Sequence, residues 1–144
     1  MTQMTAQQLD TFLAKTRQAI LLRTNADGTA NGAALWYDWD GTSVRMFSMA
    51  SAPKVTGLKR DPRISVLITN DVDEPPSWVR FDGTAVLDWD DDATSLAVDV
   101  LAPRYWDLSN PGAAEVVEQW RSAPAGALVT IRLDPERVVS YSGQ

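Results

Sequence analysis

Two Asp-Gly pairs, Asp27-Gly28 and Asp40-Gly41, separate three runs of strand-forming residues early in the chain. Asp-Gly pairs tolerate the positive φ angles of tight hairpin turns. The three runs, residues 19–24, 30–39 and 43–49, are therefore predicted to form an antiparallel meander. This beginning favours a mainly β fold over a doubly wound parallel sheet, in which strands and helices would alternate.

The rest of the chain continues the same pattern with a few helices. Thr5 and Gln8 predict a capping box at the start of a helix that ends near Thr16. The remaining predicted elements are a helix over 54–60 with Pro53 at its first position, a central strand over 63–69, a long strand over 78–89 with a bend at Asp82-Gly83, helices over 91–101 and 112–121, and closing strands over 127–133 and 138–141. Residues 1–144 are predicted to form one domain, a barrel of six or seven strands with peripheral helices.

Composition excludes several classes of function. The 144 residues contain no His and no Cys, which removes imidazole and thiolate metal ligands, cysteine nucleophiles and the Ser-His-Asp triad, so no metal site is predicted. The net charge of −6 argues against nucleic-acid binding. No apolar run is long enough to span a membrane, and the first residues lack the features of a secretory signal. We therefore expect a cytoplasmic protein.

One segment is basic in this acidic chain. Lys54, Lys59, Arg60 and Arg63 lie within ten residues and are accompanied by one acid, Asp61. Ser48, Ser51 and a predicted strand-to-helix turn come just before them. Hydroxyls, free backbone N–H groups and a lysine at the start of a helix are the components of an anion site, and phosphate is the obvious anion. An exposed basic helix face remains the alternative.

Six tryptophans are many for a chain of this length. Trp36, Trp39, Trp78 and Trp89 fall on predicted strands, and Trp106 and Trp120 fall in the helical segment. Core packing explains each of them singly. The alternatives are a flat aromatic ligand or a contact between subunits, where Trp is enriched.

The segment 47–66 resembles a family signature. It combines Phe47-Ser48, a turn with Lys54, and the run Leu58-Lys59-Arg60-Asp61-Pro62-Arg63, and residues 20–24, 34–37 and 78–85 agree with it. The chain is similar to the split β-barrel flavoproteins related to pyridoxamine 5'-phosphate oxidase. The resemblance implies a six-stranded, FMN-binding-like split barrel that forms a homodimer, with a flavin or deazaflavin at the dimer interface.

The resemblance also implies which residues hold the cofactor. The cofactor phosphate would lie on Ser48, Met49, Ala50, Ser51 and Lys54, with Lys59 and Arg60 near the phosphate or its tail. Leu35, Trp36 and Tyr37 would face the ring, and Trp78 would approach it from the same subunit or from the other one.

The C-terminal segment departs from the oxidase members, because residues 137–142 contain no Arg-x-His pattern. The chain looks more like the branch that uses coenzyme F-420, a deazaflavin whose tail carries phosphate and glutamates; FMN is the alternative cofactor. The expected activity is hydride transfer to a flat small molecule such as a quinone, an enone or a biliverdin-like tetrapyrrole, with a proton from Tyr37, Arg80 or solvent. A non-enzymatic storage or sensing protein is the rival function, and the lack of His argues against haem.

Overall fold

The computed structural model describes residues 2–143 of the chain. These residues contain eight strands and five helices, connected by turns and loops. The helices are α1 (Ala6–Ala14), α2 (Pro53–Arg60), α3 (Ala93–Ser95), α4 (Ala102–Tyr105) and α5 (Pro111–Arg121), with a π-helical segment (Leu96–Leu101) between α3 and α4. The strands are β1 (Ala19–Thr24), β2 (Ala30–Leu35), β3 (Asp38–Trp39), β4 (Val44–Met49), β5 (Arg63–Thr69), β6 (Ser77–Asp88), β7 (Leu128–Leu133) and β8 (Arg137–Ser142). The prediction of a mainly β fold with peripheral helices is confirmed.

The strands form one curled antiparallel sheet in the order β2-β1-β5-β6-β7-β4-β3, and β8 also pairs with β6. The long strand β6 joins the two halves of the sheet. Its residues 77–82 pair with β8 and its residues 85–88 pair with β7. Gly83 lies at this change of partner, where a β-carbon would be 2.8 Å from Leu133 Cδ1. The bend predicted at Asp82-Gly83 therefore lies where β6 stops pairing with β8 and begins to pair with β7.

The core lies inside the curl of the sheet. Side chains alternate along β1, β5 and β6, so that Leu21, Val66 and Phe81 are buried inside while their neighbours point outward. β4 and β7 contribute Met46 and Ile131 to the same core from the other half. One continuous core thus holds the two halves of the sheet together.

The prediction of one strand over residues 30–39 is wrong. The structure divides this run into β2, which pairs with β1, and β3, which pairs with β4. The chain leaves the ladder at Trp36 and Tyr37, where the Tyr37 N–H donates to Tyr105 Oη. The first three predicted runs therefore do not form a meander. They form two hairpins that belong to opposite halves of the sheet.

The helices largely follow the predictions. The capping box of α1 is present: Thr5 Oγ1 accepts from the Gln8 N–H and Gln8 Oε1 accepts from the Thr5 N–H. The helix predicted to end at Leu101 continues through α4 to Tyr105.

Among residues 2–143, no helix has the length and apolar character needed to cross a membrane.

Candidate functional site

The barrel is open between β2 and β4. Within residues 2–143, β2 pairs only with β1, and β4 pairs with β3 through Val44 and Arg45 alone. One edge of β2 and the edge of β4 beyond Arg45 are therefore left without a strand partner. Unpaired strand edges offer backbone N–H and C=O groups to a ligand. A groove lies at this opening, and we call it the split groove.

The split groove has a volume of about 300 Å³. Its lining is mostly apolar, with a few polar groups at one side, which is the usual composition of a small-molecule site. The lining residues are Gln18, Ala34, Leu35, Trp36, Phe47, Ser48, Met49, Ala52, Lys54, Trp106 and Trp120. Five of the residues predicted to bind the cofactor are brought together here: Leu35, Trp36, Ser48, Met49 and Lys54.

An aromatic cluster forms one wall of the split groove. Trp36 stacks on Tyr105 with ring centroids 4.9 Å apart and meets Trp106 edge-on at 4.6 Å. Trp120 stacks on Trp106 at 5.5 Å and lies edge-on to Phe47 at 5.2 Å. Because each ring is held by at least one other, the wall presents a fixed apolar surface that suits a flat ring.

The turn from β4 into α2 also lines the groove, through Ala52 and Lys54. The first residue of α2 is Pro53, which has no N–H, and the preceding Ala52 provides no side-chain cap. In the described residues, no acceptor is present for the backbone N–H groups of Ser51 and Lys54. Lys54 Nζ has no carboxylate within 4 Å in the same part of the chain. Free amides at a helix start beside an unpaired ammonium group are the donors that an anion site needs.

Ser51 and Arg60 do not line the split groove. They line a neighbouring cleft, the arginine cleft, together with Arg23, Asn25, Pro53, Thr56 and Gly57. Since the split groove contains Ala52 and Lys54, a single turn of chain separates the two depressions. The predicted phosphate residues are therefore divided between two adjoining sites.

The other predicted site residues of this region have partners within the fold. The Ala50 N–H donates to Ala127 O at 2.8 Å, so this amide is already used. Ser48 is buried, and its hydroxyl donates to Met49 O. Lys59 Nζ lies 5.5 Å from the ring centroid of Trp89, on the exposed side of α2. Ala50 and Lys59 are accordingly outside the lining of both depressions.

Tyr37, predicted to face the ring and to be a proton donor, lies in the core instead. Its side chain is 3% exposed, and its hydroxyl donates to Leu13 O at 2.9 Å. Burial raises the pKa of the Tyr37 phenol. The structure therefore does not bring Tyr37 together with the split groove.

Arg80 and Trp78 lie on the outer face of the sheet. Arg80 forms two hydrogen bonds with Asp82, from Nε at 2.8 Å and from Nη2 at 3.1 Å. This ion pair lowers the pKa of Asp82 to about 2, mainly through the hydrogen bond from Arg80. Strands β1 and β5 separate β6 from β2, about 14 Å across the sheet, and neither Arg80 nor Trp78 lines the split groove.

Sequence reasoning missed Phe47, Trp106, Trp120 and Gln18 in the split groove and Arg23 in the arginine cleft. The number of tryptophans was a usable signal, but it did not show which of them face a ligand. Arg23 lies outside the basic segment along the chain and reaches α2 only through folding.

Most of the chain matches one protein family. The family model described as pyridoxamine 5'-phosphate oxidase matches residues 5–141. The chain therefore belongs to the pyridoxamine 5'-phosphate oxidase family, as its resemblance implied. A comparison with curated proteins found no match.

Solved structures share the fold at low sequence identity. The conserved hypothetical protein Rv2991 from Mycobacterium tuberculosis has a TM-score of 0.73 at 23% identity, over 98% of this chain and 86% of that one. An F420 reductase has a TM-score of 0.67 at 22% identity, over 90% and 94%. A FAD-binding protein from Mesorhizobium loti has a TM-score of 0.63 at 22% identity, over 96% and 93%. These likenesses establish the split-barrel fold.

Proposed function

We propose that this protein is a reductase that binds coenzyme F-420 in the split groove and reduces a flat conjugated small molecule. The observation that carries the proposal is the pairing, in one groove, of an aromatic wall with the unpaired Lys54 at an uncapped helix start. This arrangement suits a ligand with a ring at one end and an anion at the other. The structural likeness to an F420 reductase supports the deazaflavin, and the likeness to a FAD-binding protein keeps FMN as the alternative.

The residues fit such a cofactor by their chemistry. Leu35, Trp36 and Met49 provide apolar surface for a ring, and the Lys54 amide and ammonium group provide donors for a phosphate. When bound, the deazaflavin supplies the hydride. The chain supplies binding, orientation and exclusion of water, which are roles that need neither His nor Cys.

The proton for the reduced product is proposed to come from solvent. Tyr37 is buried with its hydroxyl on Leu13 O, and Arg80 is held by Asp82 on the outer face of the sheet. Neither group faces the split groove of its own chain. Candidate acceptors are quinones, enones and biliverdin-like tetrapyrroles, which can take a hydride at an activated double bond.

We further propose a homodimer formed through the outer face of the sheet. Along β1, β5, β6 and β8 this face carries the half-buried side chains of Ile20, Leu22, Leu67, Trp78, Val139 and Tyr141. Arg80, paired with Asp82, lies between Leu67 and Val139 on the same face. A face that combines apolar and aromatic side chains with an arginine is typical of a subunit interface. A second copy seated here would bring a Trp78 toward the groove of the first.

The proposal is tested by titrating the purified protein with F-420 and, separately, with FMN while tryptophan fluorescence is recorded. Trp36, Trp106 and Trp120 line the groove, so saturable quenching by one cofactor identifies it. Reduced cofactor is then offered quinones, enones and biliverdin. Turnover supports a reductase, binding without turnover supports a storage or sensing protein, and no binding of either cofactor rejects the proposed function.

A further inference from the structure

An ion-pair network joins the helical part of the chain to the sheet. Arg45 of β4 donates from Nη2 to Asp38 Oδ2 at 2.8 Å, and its Nη1 lies 3.5 Å from Asp91 Oδ2. Arg104 of α4 donates from Nη1 to Asp38 Oδ1 at 2.9 Å. The four charges alternate in sign in the order Asp91, Arg45, Asp38, Arg104, and we call them the Asp38 network.

The Asp38 network holds both ends of one helical run. Asp91 lies just before α3 and Arg104 lies in α4, so the two outer members flank the run that α3, the π-helical segment and α4 form. Asp91 is fixed in turn by β7, because its Oδ2 accepts from Thr130 Oγ1 at 2.8 Å. The inner members, Asp38 and Arg45, are paired residues of β3 and β4. The helical run is therefore tied to the sheet near its beginning and near its end.

Asp38 is the centre of this network. Its side chain belongs to a residue that is 7% exposed, and each of its two carboxylate oxygens accepts from a different arginine. A buried carboxylate must be paired, and such a pair adds little net stability compared with apolar side chains of the same size. What the pairing does supply is a fixed distance between the elements that it joins, here β3 and α4.

The short helix α4 needs such an anchor. It contains four residues, Ala102–Tyr105, which are too few for a helix that is stable by itself. Tyr105 follows Arg104 and stacks on Trp36 with ring centroids 4.9 Å apart, and Trp106 comes next and meets Trp36 edge-on at 4.6 Å. Trp106 lines the split groove. The place of its ring therefore depends on where the ion pair of Arg104 holds α4.

We infer that Asp38 and Arg104 are positioning residues for the aromatic wall of the split groove. Their ion pair holds α4 beside β3, and α4 in turn sets the place of Trp106, on which Trp120 stacks at 5.5 Å. Neither Asp38 nor Arg104 lines the split groove, so both act through the tryptophans. The inference rests on the proposed function only for the ligand that the wall receives.

The test breaks the ion pair from each end. Arg104→Met removes the charge and keeps the apolar stem, and the Arg104 side chain is 47% exposed, so the core stays intact. Asp38→Asn removes the opposite charge in nearly the same shape. Arg104→Lys keeps a cation that can replace the single nitrogen contact of Arg104 with Asp38. Arg121→Gln is the matched control, since Arg121 pairs with Glu118 inside α5 at 3.3 Å.

Each variant is measured in three ways. Fluorescence titration gives the affinity for F-420 and for FMN, near-ultraviolet circular dichroism of the empty protein reports the coupled indole rings, and the melting temperature reports stability. We expect Arg104→Met and Asp38→Asn each to weaken cofactor binding about tenfold and to reduce the near-ultraviolet bands. Arg104→Lys should recover affinity to within about threefold of wild type, a recovery that a loss of packing alone would not show. Arg121→Gln should stay near wild type in affinity and in the near-ultraviolet bands.

A double variant tests whether the two residues act as a pair. Adding Arg104→Met to Asp38→Asn should cause no further loss of affinity, because the interaction is already broken. Losses that add overturn the inference, and so does an Arg104→Lys variant as weak as Arg104→Met. A folded Arg104→Met protein with the affinity and the near-ultraviolet bands of Arg121→Gln overturns it as well.

Failure of the proposed function is recognised separately. If wild type binds neither F-420 nor FMN, that function is rejected, and the circular dichroism of the empty protein decides the inference alone. Bands that fall in Arg104→Met and return in Arg104→Lys support the placement of Trp106 by the ion pair. Bands that do not change in Arg104→Met overturn it.

Discussion

The guanidinium of Arg17 is buried against the carboxylate of Glu74, with Nη2 3.0 Å from Oε2 and Nη1 2.5 Å from Oε1. The Arg17 side chain also donates from Nε to Phe12 O at 2.9 Å and lies over the Phe12 ring. One cation thus ties the loop between β5 and β6 to the end of α1. All the polar nitrogens of this guanidinium have acceptors, which is the condition for burying such a group.

This ion pair predicts an acid-sensitive stability. The hydrogen bond from Arg17 lowers the pKa of Glu74 to about 2 from its usual 4.5. A carboxyl with a lowered folded-state pKa stabilises the fold fully above the unfolded value, and this contribution is lost as the pH falls from about 4.5 to 2. Melting temperatures measured over that range should fall less steeply in Glu74→Gln than in wild type. Equal slopes would contradict a role of this pair in acid unfolding.

Lys54→Met should weaken the binding of F-420 or FMN at least tenfold, about 1.4 kcal/mol, because it removes the unpaired charge at the start of α2. The difference from wild type should shrink at high salt, where an exposed charge is screened. Lys15→Met is the matched control, since Lys15 pairs with Asp71 and does not line the split groove. Fluorescence titration at two salt concentrations measures both variants. An affinity of Lys54→Met equal to that of Lys15→Met would remove Lys54 from the site.

Trp120→Leu should weaken cofactor binding about tenfold, since it removes a ring from the aromatic wall that Phe47 and Trp106 support. Trp89→Leu is the control, because Trp89 is 49% exposed and lies outside the split groove. Affinity and melting temperature are measured together for both variants. Unchanged affinity in a stable Trp120→Leu protein would show that the ring does not rest on this wall.

Tyr37→Phe should cost about 1 kcal/mol of unfolding free energy and leave turnover unchanged. The substitution removes the hydrogen bond to Leu13 O and nothing that faces the split groove. Urea unfolding gives the stability, and the pH profile of kcat reports any proton transfer. A stable variant with a lowered kcat and an altered pH profile would restore Tyr37 as the proton donor.

Leu67→Glu should convert the proposed dimer into a monomer, because it replaces an apolar side chain of the outer face with a carboxylate that the partner would have to bury. Val72→Glu introduces the same charge in a fully exposed loop and should leave the assembly unchanged. Light scattering after size-exclusion chromatography distinguishes the two states. Wild type and Leu67→Glu of equal mass would reject this face as the interface.

Where local pattern determines structure, the sequence was sufficient. The bounds of β1, α2 and β5 follow from runs of strand-forming residues, from Pro53 at a helix start and from Asp61-Pro62 at its end. The run 30–39 shows the limit of this reasoning. Period-two alternation is the same on either half of a sheet, so it cannot indicate that the chain changes halves at Trp36 and Tyr37.

The candidate site also contains residues that the sequence could indicate and residues that it could not. The residues around the basic turn are neighbours along the chain, so charge and hydroxyl spacing indicated Lys54 and Ser51 directly. Arg23 and Trp120 reach the site from β1 and α5, and only the folded chain brings them there. Tyr37 follows Trp36 in sequence, yet its side chain enters the core and its hydroxyl donates to Leu13 O. Adjacency to a groove residue along the chain therefore did not show whether the Tyr37 side chain faces the groove.

The gap between β2 and β4 has a consequence for the empty protein. Within residues 2–143, one edge of β2 and the edge of β4 beyond Arg45 have no strand partner, and such edges are templates onto which a strand from another molecule can add and begin aggregation. A coenzyme lying along both edges would block that route and brace the two halves of the sheet against each other. Coenzyme binding would then determine how long the protein resists aggregation in solution as well as whether it can react.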